Sequence, residues 1–197
     1  MDRHSTNEKG KAVKTYTGMK GRVGTGTGTL AILLMSLAGS GTVLAETDLK
    51  ADALSAAWPG MQEGARVVDW EGNVLQEGSN GFTCMPTPPV LSGTAPMCLD
   101  ELWMEWAQAW QNEEPFTAES IGVAYMLSGD EGASNVDPYA EGPTDDNEWI
   151  EEGPHLMLIA PAELLENFPT DPHSGGPYVM WKGTDYQHLM IPVAARE

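Results

Sequence analysis

Two copies of the tripeptide His-Leu-Met carry residue types that bind metal ions. His155 to Met157 and His188 to Met190 each lie in an apolar run typical of a β-strand. Alternate residues of a strand share a face, so the His and Met of each copy point the same way, and Met180 can join them from the run between. Imidazole and thioether together suit Cu(I). If the three runs pair in register, the sequence predicts a soft-metal site, with copper as the cofactor, formed by His155, Met157, Met180, His188 and Met190.

Ordinary packing is the alternative explanation of this pattern. Methionine fills irregular gaps in a core, and a buried histidine often makes only a hydrogen bond. The opposite face of the same runs carries large apolar residues, and we expect it to form the main core: Leu156, Leu158, Val179, Trp181, Leu189 and Ile191. The tripeptides also resemble the His-x-Met elements of periplasmic copper chaperones, although the upstream His and Met of those proteins have no counterpart here.

Other chemistries find less support in the sequence. Residues 128–153 hold nine acidic side chains that could offer oxygen ligands to calcium, but they lack the ligand order of an EF-hand. His173 and Ser174 are adjacent without a Gly-x-Ser-x-Gly elbow. We therefore predict no catalytic residue, and we expect a binding or structural protein of unknown ligand rather than an enzyme.

The first 45 residues have the layout of a secretory signal. Six basic residues lie before position 23, an apolar stretch runs from Leu30 to Ala38, and Val43 to Ala45 provides a cleavage sequence. We predict cleavage after Ala45, so that residues 46–197 form a single secreted or periplasmic domain. An uncleaved membrane anchor is the alternative, although the apolar stretch is short for the ~20 residues of a spanning helix.

Cleavage would make the protein more acidic. The whole chain has 197 residues and a formal charge of −19, whereas residues 46–197 hold 27 acidic and 4 basic residues, a charge of −23. Nucleic acid is excluded as a partner because phosphate binding needs clustered Lys and Arg. Anionic membranes are disfavoured for the same reason.

The elements that must position the His and Met residues follow from the apolar patterns. Leu99, Leu102, Trp103, Trp106 and Trp110 recur at helical spacing, and several alternating runs indicate strands. The last three runs are close together, which favours antiparallel pairing. We predict an α+β fold, with a mostly antiparallel sheet and two or three packed helices.

A disulfide between Cys84 and Cys98 is expected to staple this fold. Both cysteines lie after the predicted cleavage point and would meet an oxidising compartment. Closing a loop of about 15 residues stabilises a protein by roughly 3 kcal/mol in the chain-entropy description.

Four segments resemble a family of uncharacterised secreted bacterial proteins. They are Asn80 to Pro86, Pro96 to Asp100, Gly153 to His155 and Gly175 to Thr184. The resemblance implies export and a single domain, and it implies no activity.

Overall fold

A mixed β-sheet of eight strands organises the protein in a computed structural model that describes residues 40–91 and 93–194. The strand order is β2-β1-β3-β4-β5-β8-β10-β9, and β6 pairs with β7 in a separate two-stranded sheet. The strands are β1 (Arg66–Val68), β2 (Val74–Gln76), β3 (Thr83–Met85), β4 (Met97–Leu99), β5 (Gly122–Met126), β6 (Ala133–Ser134), β7 (Trp149–Ile150), β8 (His155–Ile159), β9 (Tyr178–Met180) and β10 (His188–Pro192). The helices are α1 (Ser40–Ser55), α2 (Pro59–Gln62), α3 (Glu101–Gln111) and α4 (Ala162–Leu165).

The sheet confirms the α+β prediction in its main features. Strand β1 pairs with β3 in parallel, and the other neighbours of the large sheet pair antiparallel. Two of the four helices, α2 and α4, have only four residues each. The structure is therefore a mixed sheet with helices packed on it.

The Asp100 carboxylate fixes helix α3 against the sheet. One carboxylate oxygen accepts a hydrogen bond from the Trp103 N–H at 2.9 Å and thereby caps the helix, while the other accepts from the Val123 N–H of β5 at 2.5 Å. This double contact sets the rotation of α3. The helix consequently buries Trp103, Trp106 and Ala109.

Three apolar clusters lie on the two faces of the large sheet. The largest packs α3 against β5, β8, β9 and β10, and it contains the methionines Met126, Met157, Met180 and Met190. A second packs α1 against β1, β3 and β4, and the third lies under α4 around Val179 and Leu189. The main core therefore lies on the face that carries the His and Met residues, opposite to our expectation, because α3 brings its tryptophans to that face.

The predicted disulfide is present. Cys84 and Cys98 are directly opposite each other on β3 and β4, their Cα atoms are 3.9 Å apart, and both side chains are buried beneath α1. The bridge thus links adjacent strands at the centre of the second cluster.

The predicted leader lies mostly outside the described residues. Its basic and apolar segments precede residue 40, and the predicted cleavage point after Ala45 lies within α1. Among residues 40–91 and 93–194, no helix combines the length and apolar character needed to cross a membrane.

Candidate functional site

All five predicted ligands lie on one face of the sheet, which we call the His/Met face (His155, Met157, Met180, His188 and Met190). Strands β8 and β10 are neighbours, and their register sets Met157 directly opposite Met190. Strand β9 sets Met180 opposite His188. Residues directly opposite in an antiparallel pair share a face, so these strands bring the five side chains to one face of the sheet.

The two histidines, however, occupy different rows of the His/Met face. His155 is opposite Pro192, whereas His188 is level with Ile159 at the other end of β8. A rise of about 3.3 Å per residue separates these rows by roughly 13 Å. Since an imidazole nitrogen bonds a metal at about 2 Å, the two rows are too far apart for one ion to bind both histidines.

The His/Met face is closed from solvent. His155 is fully buried, His188 and Met190 are at most 2% exposed, and the most exposed member, Met157, reaches 9%. The methionines pack in the same cluster as the tryptophans of α3. The arrangement therefore serves as a packed core as well as a possible ligand set.

At one end of the His/Met face, one nitrogen of the His155 ring makes a hydrogen bond, and the other makes none to the described residues. Its Nδ1 is 2.7 Å from the carbonyl oxygen of Gly153, and a carbonyl can only accept, so Nδ1 carries the proton of that bond. Its Nε2 is buried without a hydrogen-bond partner among the described residues, and the closest charged atom is the Asp130 Oδ2 at 3.8 Å. In the neutral ring this Nε2 presents its lone pair to the core.

Backbone hydrogen bonds hold the Asp130 carboxylate beside His155. Asp130 Oδ1 accepts hydrogen bonds from the Gly132 N–H at 2.9 Å and the Glu152 N–H at 3.1 Å. The Tyr178 hydroxyl donates to Glu152 Oε2 at 2.9 Å. Burial raises the pKa of Asp130, while the neighbouring His155 ring and the two backbone N–H donors act in the opposite direction.

Gly129, just before Asp130, allows the backbone to pass close to the Glu152 carbonyl oxygen. Gly129 has φ of 75°, and a Cβ there would lie 2.8 Å from the Glu152 carbonyl oxygen. Only glycine combines this conformation with so close an approach. Asp130 and Glu152 meet through pairing of distant segments, and the only advance signal was the acidic composition of residues 128–153.

At the other end of the face, His188 lies among aromatic rings. Its ring centroid is 5.0 Å from that of Trp181, 5.4 Å from Trp103 and 5.6 Å from Trp106. Its Nδ1 donates to the Tyr186 carbonyl oxygen at 3.0 Å. Burial lowers the pKa of His188 to about 4, so the ring is neutral at physiological pH.

Trp181 was assigned to the wrong face by strand alternation. It follows the last residue of β9 and adopts φ of 55°, so the alternation of the strand ends before it. Its indole N–H donates to the Ser134 carbonyl oxygen at 2.6 Å, and its ring stacks on Trp106. The left-handed backbone turns the indole into the main core.

The calcium alternative would need a cluster of ligand side chains, and the described residues contain none. In the part of the chain that the structure describes, no three side chains of His, Cys, Asp or Glu are grouped so that they could hold a metal ion. A site with thioether ligands is a separate case, because methionine supplies its donors.

Comparison with protein-family models, curated proteins and solved structures gives no match. The resemblance to secreted bacterial proteins therefore stays a prediction, and the functional argument rests on the residues themselves.

Proposed function

We propose that this protein is an exported, acidic binding protein that holds Cu(I) between His155, Met157 and Met190. The observation that carries the proposal is the fully buried Nε2 of His155, which has no hydrogen-bond partner among the described residues. A buried polar atom left unpaired destabilises a protein by about 1–3 kcal/mol, so an orphan of this kind calls for an explanation. A bound ion would satisfy it.

The neighbouring side chains supply the rest of a soft ligand set. Met157 is two residues from His155 on the same strand, and Met190 is opposite Met157. One nitrogen and two thioether sulfurs form a three-coordinate set that favours Cu(I) over harder cations. The Nδ1 bond to Gly153 would hold the ring in the tautomer that a metal needs, as outer contacts of metal-bound histidines generally do.

Charge compensation also favours the His155 end. A cation buried among neutral ligands needs an opposite charge nearby, because burial of an unpaired charge is costly. The Asp130 carboxylate, 3.8 Å from Nε2, is suitably placed to balance a single positive charge. At the His188 end, the ring packs against the indoles of Trp103, Trp106 and Trp181.

A binding or structural role without a metal is the second candidate. It is favoured by the packing of Met157, Met180 and Met190 within one closed apolar cluster. In that case the methionines fill space, and the ligand or partner protein binds elsewhere.

A Cu(I) competition titration separates the two candidates. The protein is purified as its cells process it, and binding is compared across two matched pairs of variants. We expect His155→Ala to abolish binding and Met157→Leu to weaken it at least ~10-fold, the range seen when a metal site is perturbed. The controls His188→Ala and Met180→Leu should retain the original affinity. Leucine conserves the volume of methionine, so the methionine variants should remain folded.

Two results would overturn the copper proposal. The first is an absence of binding by the unaltered protein, and the second is binding that His155→Ala leaves unchanged. Mass spectrometry of the same preparation tests export independently: the chain should begin at Glu46, and an intact Met1 would favour the membrane-anchor alternative.

A further inference from the structure

Four aromatic side chains connect the surface to the His188 end of the His/Met face, and within this group the rings of Trp110 and Trp181 also stack directly, with centroids 6.3 Å apart. We call Tyr139, Trp110, Trp106 and Trp181 the aromatic column. Tyr139 stacks on Trp110 with ring centroids 6.0 Å apart, Trp110 on Trp106 at 6.3 Å, and Trp106 on Trp181 at 5.7 Å. The ring planes of these pairs differ by 1°, 11° and 3°. Trp181 then contacts His188, which is opposite Met180.

The column runs from an open end to a closed end. Tyr139 is 45% exposed, whereas Trp106 and Trp181 are 7% and 8% exposed. Indole, phenol and thioether are the side chains that most readily give up one electron. The stack therefore joins an oxidisable core to an oxidisable surface residue through rings in van der Waals range.

We propose that the aromatic column conducts oxidising equivalents outward, from the buried indoles and methionines to Tyr139, and so protects the core from one-electron oxidants. An oxidant of the oxygen-radical class removes one electron from a buried indole or sulfur. Each ring then supplies an electron to its inner neighbour. Tyr139 finally gives one electron to Trp110 and releases its phenolic proton, which is hydrogen-bonded to the Trp110 carbonyl oxygen, to water. A thiol reductant in solution then restores the phenol by donating one hydrogen atom.

The electrostatics favour outward movement of the positive hole. A cation in the closed end has lost its hydration, and charge buried without a partner is costly. Burial and the neighbouring Tyr186 raise the pKa of the Tyr139 phenol, and the negative charges of Glu113 and Asp185 act on it in the same direction. Negative charges attract the hole, so its free energy is lowest at the surface.

The surroundings of the indole N–H groups contain, among the described residues, no base that would take the proton of an oxidised ring and so trap the radical on that ring. The Nε1 of Trp106 has no hydrogen-bond partner among the described residues, and those of Trp110 and Trp181 donate to the backbone carbonyls of Pro138 and Ser134. A carbonyl oxygen is too weak a base to take the proton of an indole radical cation. The oxidised ring therefore keeps its proton and recovers an electron from its outer neighbour.

Laser photoionisation tests this pathway in metal-free, deoxygenated protein. The pulse creates indole radicals inside the folded chain, and transient absorption follows their decay and the growth of tyrosyl radical. Because the Tyr186 ring also contacts Trp106 and Tyr139, the variants are compared in a Tyr186→Phe background. There we expect Tyr139→Phe to remove most of the tyrosyl signal and to prolong the life of the indole radicals several-fold. Trp110→Phe, which keeps an aromatic ring but not an oxidisable one, should have the same effect.

Tyr125→Phe is the matched control. Tyr125 is half-buried and packs on Phe82, outside the column. Circular dichroism confirms that each variant is folded. The proposal is wrong if Tyr139→Phe leaves the tyrosyl signal unchanged, or if Tyr125→Phe reduces it equally. Because the protein carries no copper in this experiment, its outcome is independent of the metal titration.

Discussion

The two His-Leu-Met tripeptides lie on neighbouring strands and face the same side of the sheet, yet their imidazoles meet different surroundings. His155 is beside the carboxylate of Asp130, close to the Glu152–Tyr178 hydrogen bond. His188 is enclosed by the indoles of Trp103, Trp106 and Trp181. Each ring donates Nδ1 to a carbonyl two residues earlier, so the local backbone contact is the same. The tertiary environment alone separates a candidate ligand from a packed ring.

This contrast shows how one motif takes two roles. At the His155 end, the proposed soft-cation site consists of a nitrogen without a hydrogen-bond partner among the described residues, two thioethers and the nearby Asp130 carboxylate. At the His188 end the same imidazole contributes aromatic packing and connects to the aromatic column. The following experiments perturb the His188 end and the His155 end of the His/Met face separately.

Removal of the Trp106 ring should have the largest effect on stability. Its indole contacts Trp103, Trp110, Trp181 and His188, and Trp106→Ala should lower the free energy of unfolding by about 3–5 kcal/mol. Urea unfolding followed by circular dichroism measures the change. Trp58→Ala is the control, because Trp58 is 52% exposed and its loss should change stability by no more than ~0.5 kcal/mol. Equal costs for the two variants would contradict the packing described for the His188 end.

The His188 end should also make the metal-free protein less stable in acid. Burial lowers the pKa of His188 to about 4, against 6.5 for the free side chain. Between these values the unfolded chain binds a proton that the folded chain does not, so stability falls as the pH decreases from 6.5 to 4. The loss amounts to roughly 3 kcal/mol, since one pKa unit corresponds to about 1.4 kcal/mol.

Urea unfolding at a series of pH values measures this dependence. His188→Leu removes the titrating ring while keeping an apolar side chain, and it should flatten the curve over that interval. The groups that act on His188 are the Tyr186 carbonyl and the His155 ring. An unchanged slope in the variant would show that His188 is not the titrating group.

The His155 end should show a dependence of the opposite sign. Burial raises the pKa of Asp130, so the folded chain holds this proton more tightly than the unfolded chain. The contribution of Asp130 to stability is therefore greatest in acid and is lost as the pH rises through its raised pKa. The neighbouring His155 ring and two backbone N–H donors oppose the effect of burial.

Asp130→Asn tests that prediction in the metal-free protein. The amide has the same shape and does not titrate, so the decrease in stability with rising pH should disappear. His155 and Glu152 are the titratable groups that face Asp130, and both remain in the variant. A variant that keeps the full decrease would assign the titration to another group.

Several features were determined by the sequence alone, because they depend on local periodicity. Strand alternation put His155 and Met157, and likewise His188 and Met190, on common faces, and the short connection from β9 to β10 favoured the pairing of those two strands. The helical spacing of Trp103, Trp106 and Trp110 predicted α3. The two cysteines were sufficient to predict the disulfide.

Other features were decided only by the tertiary structure, because they depend on contacts between distant segments. Which face became the main core depended on where the Asp100 carboxylate anchored α3. Trp181 left the expected face because its backbone turns left-handed just after β9. Asp130 reached His155 through a glycine turn 25 residues earlier in the chain, and no local pattern could reveal this contact. Periodicity thus determines which residues can share a face, whereas long-range packing determines what they meet there.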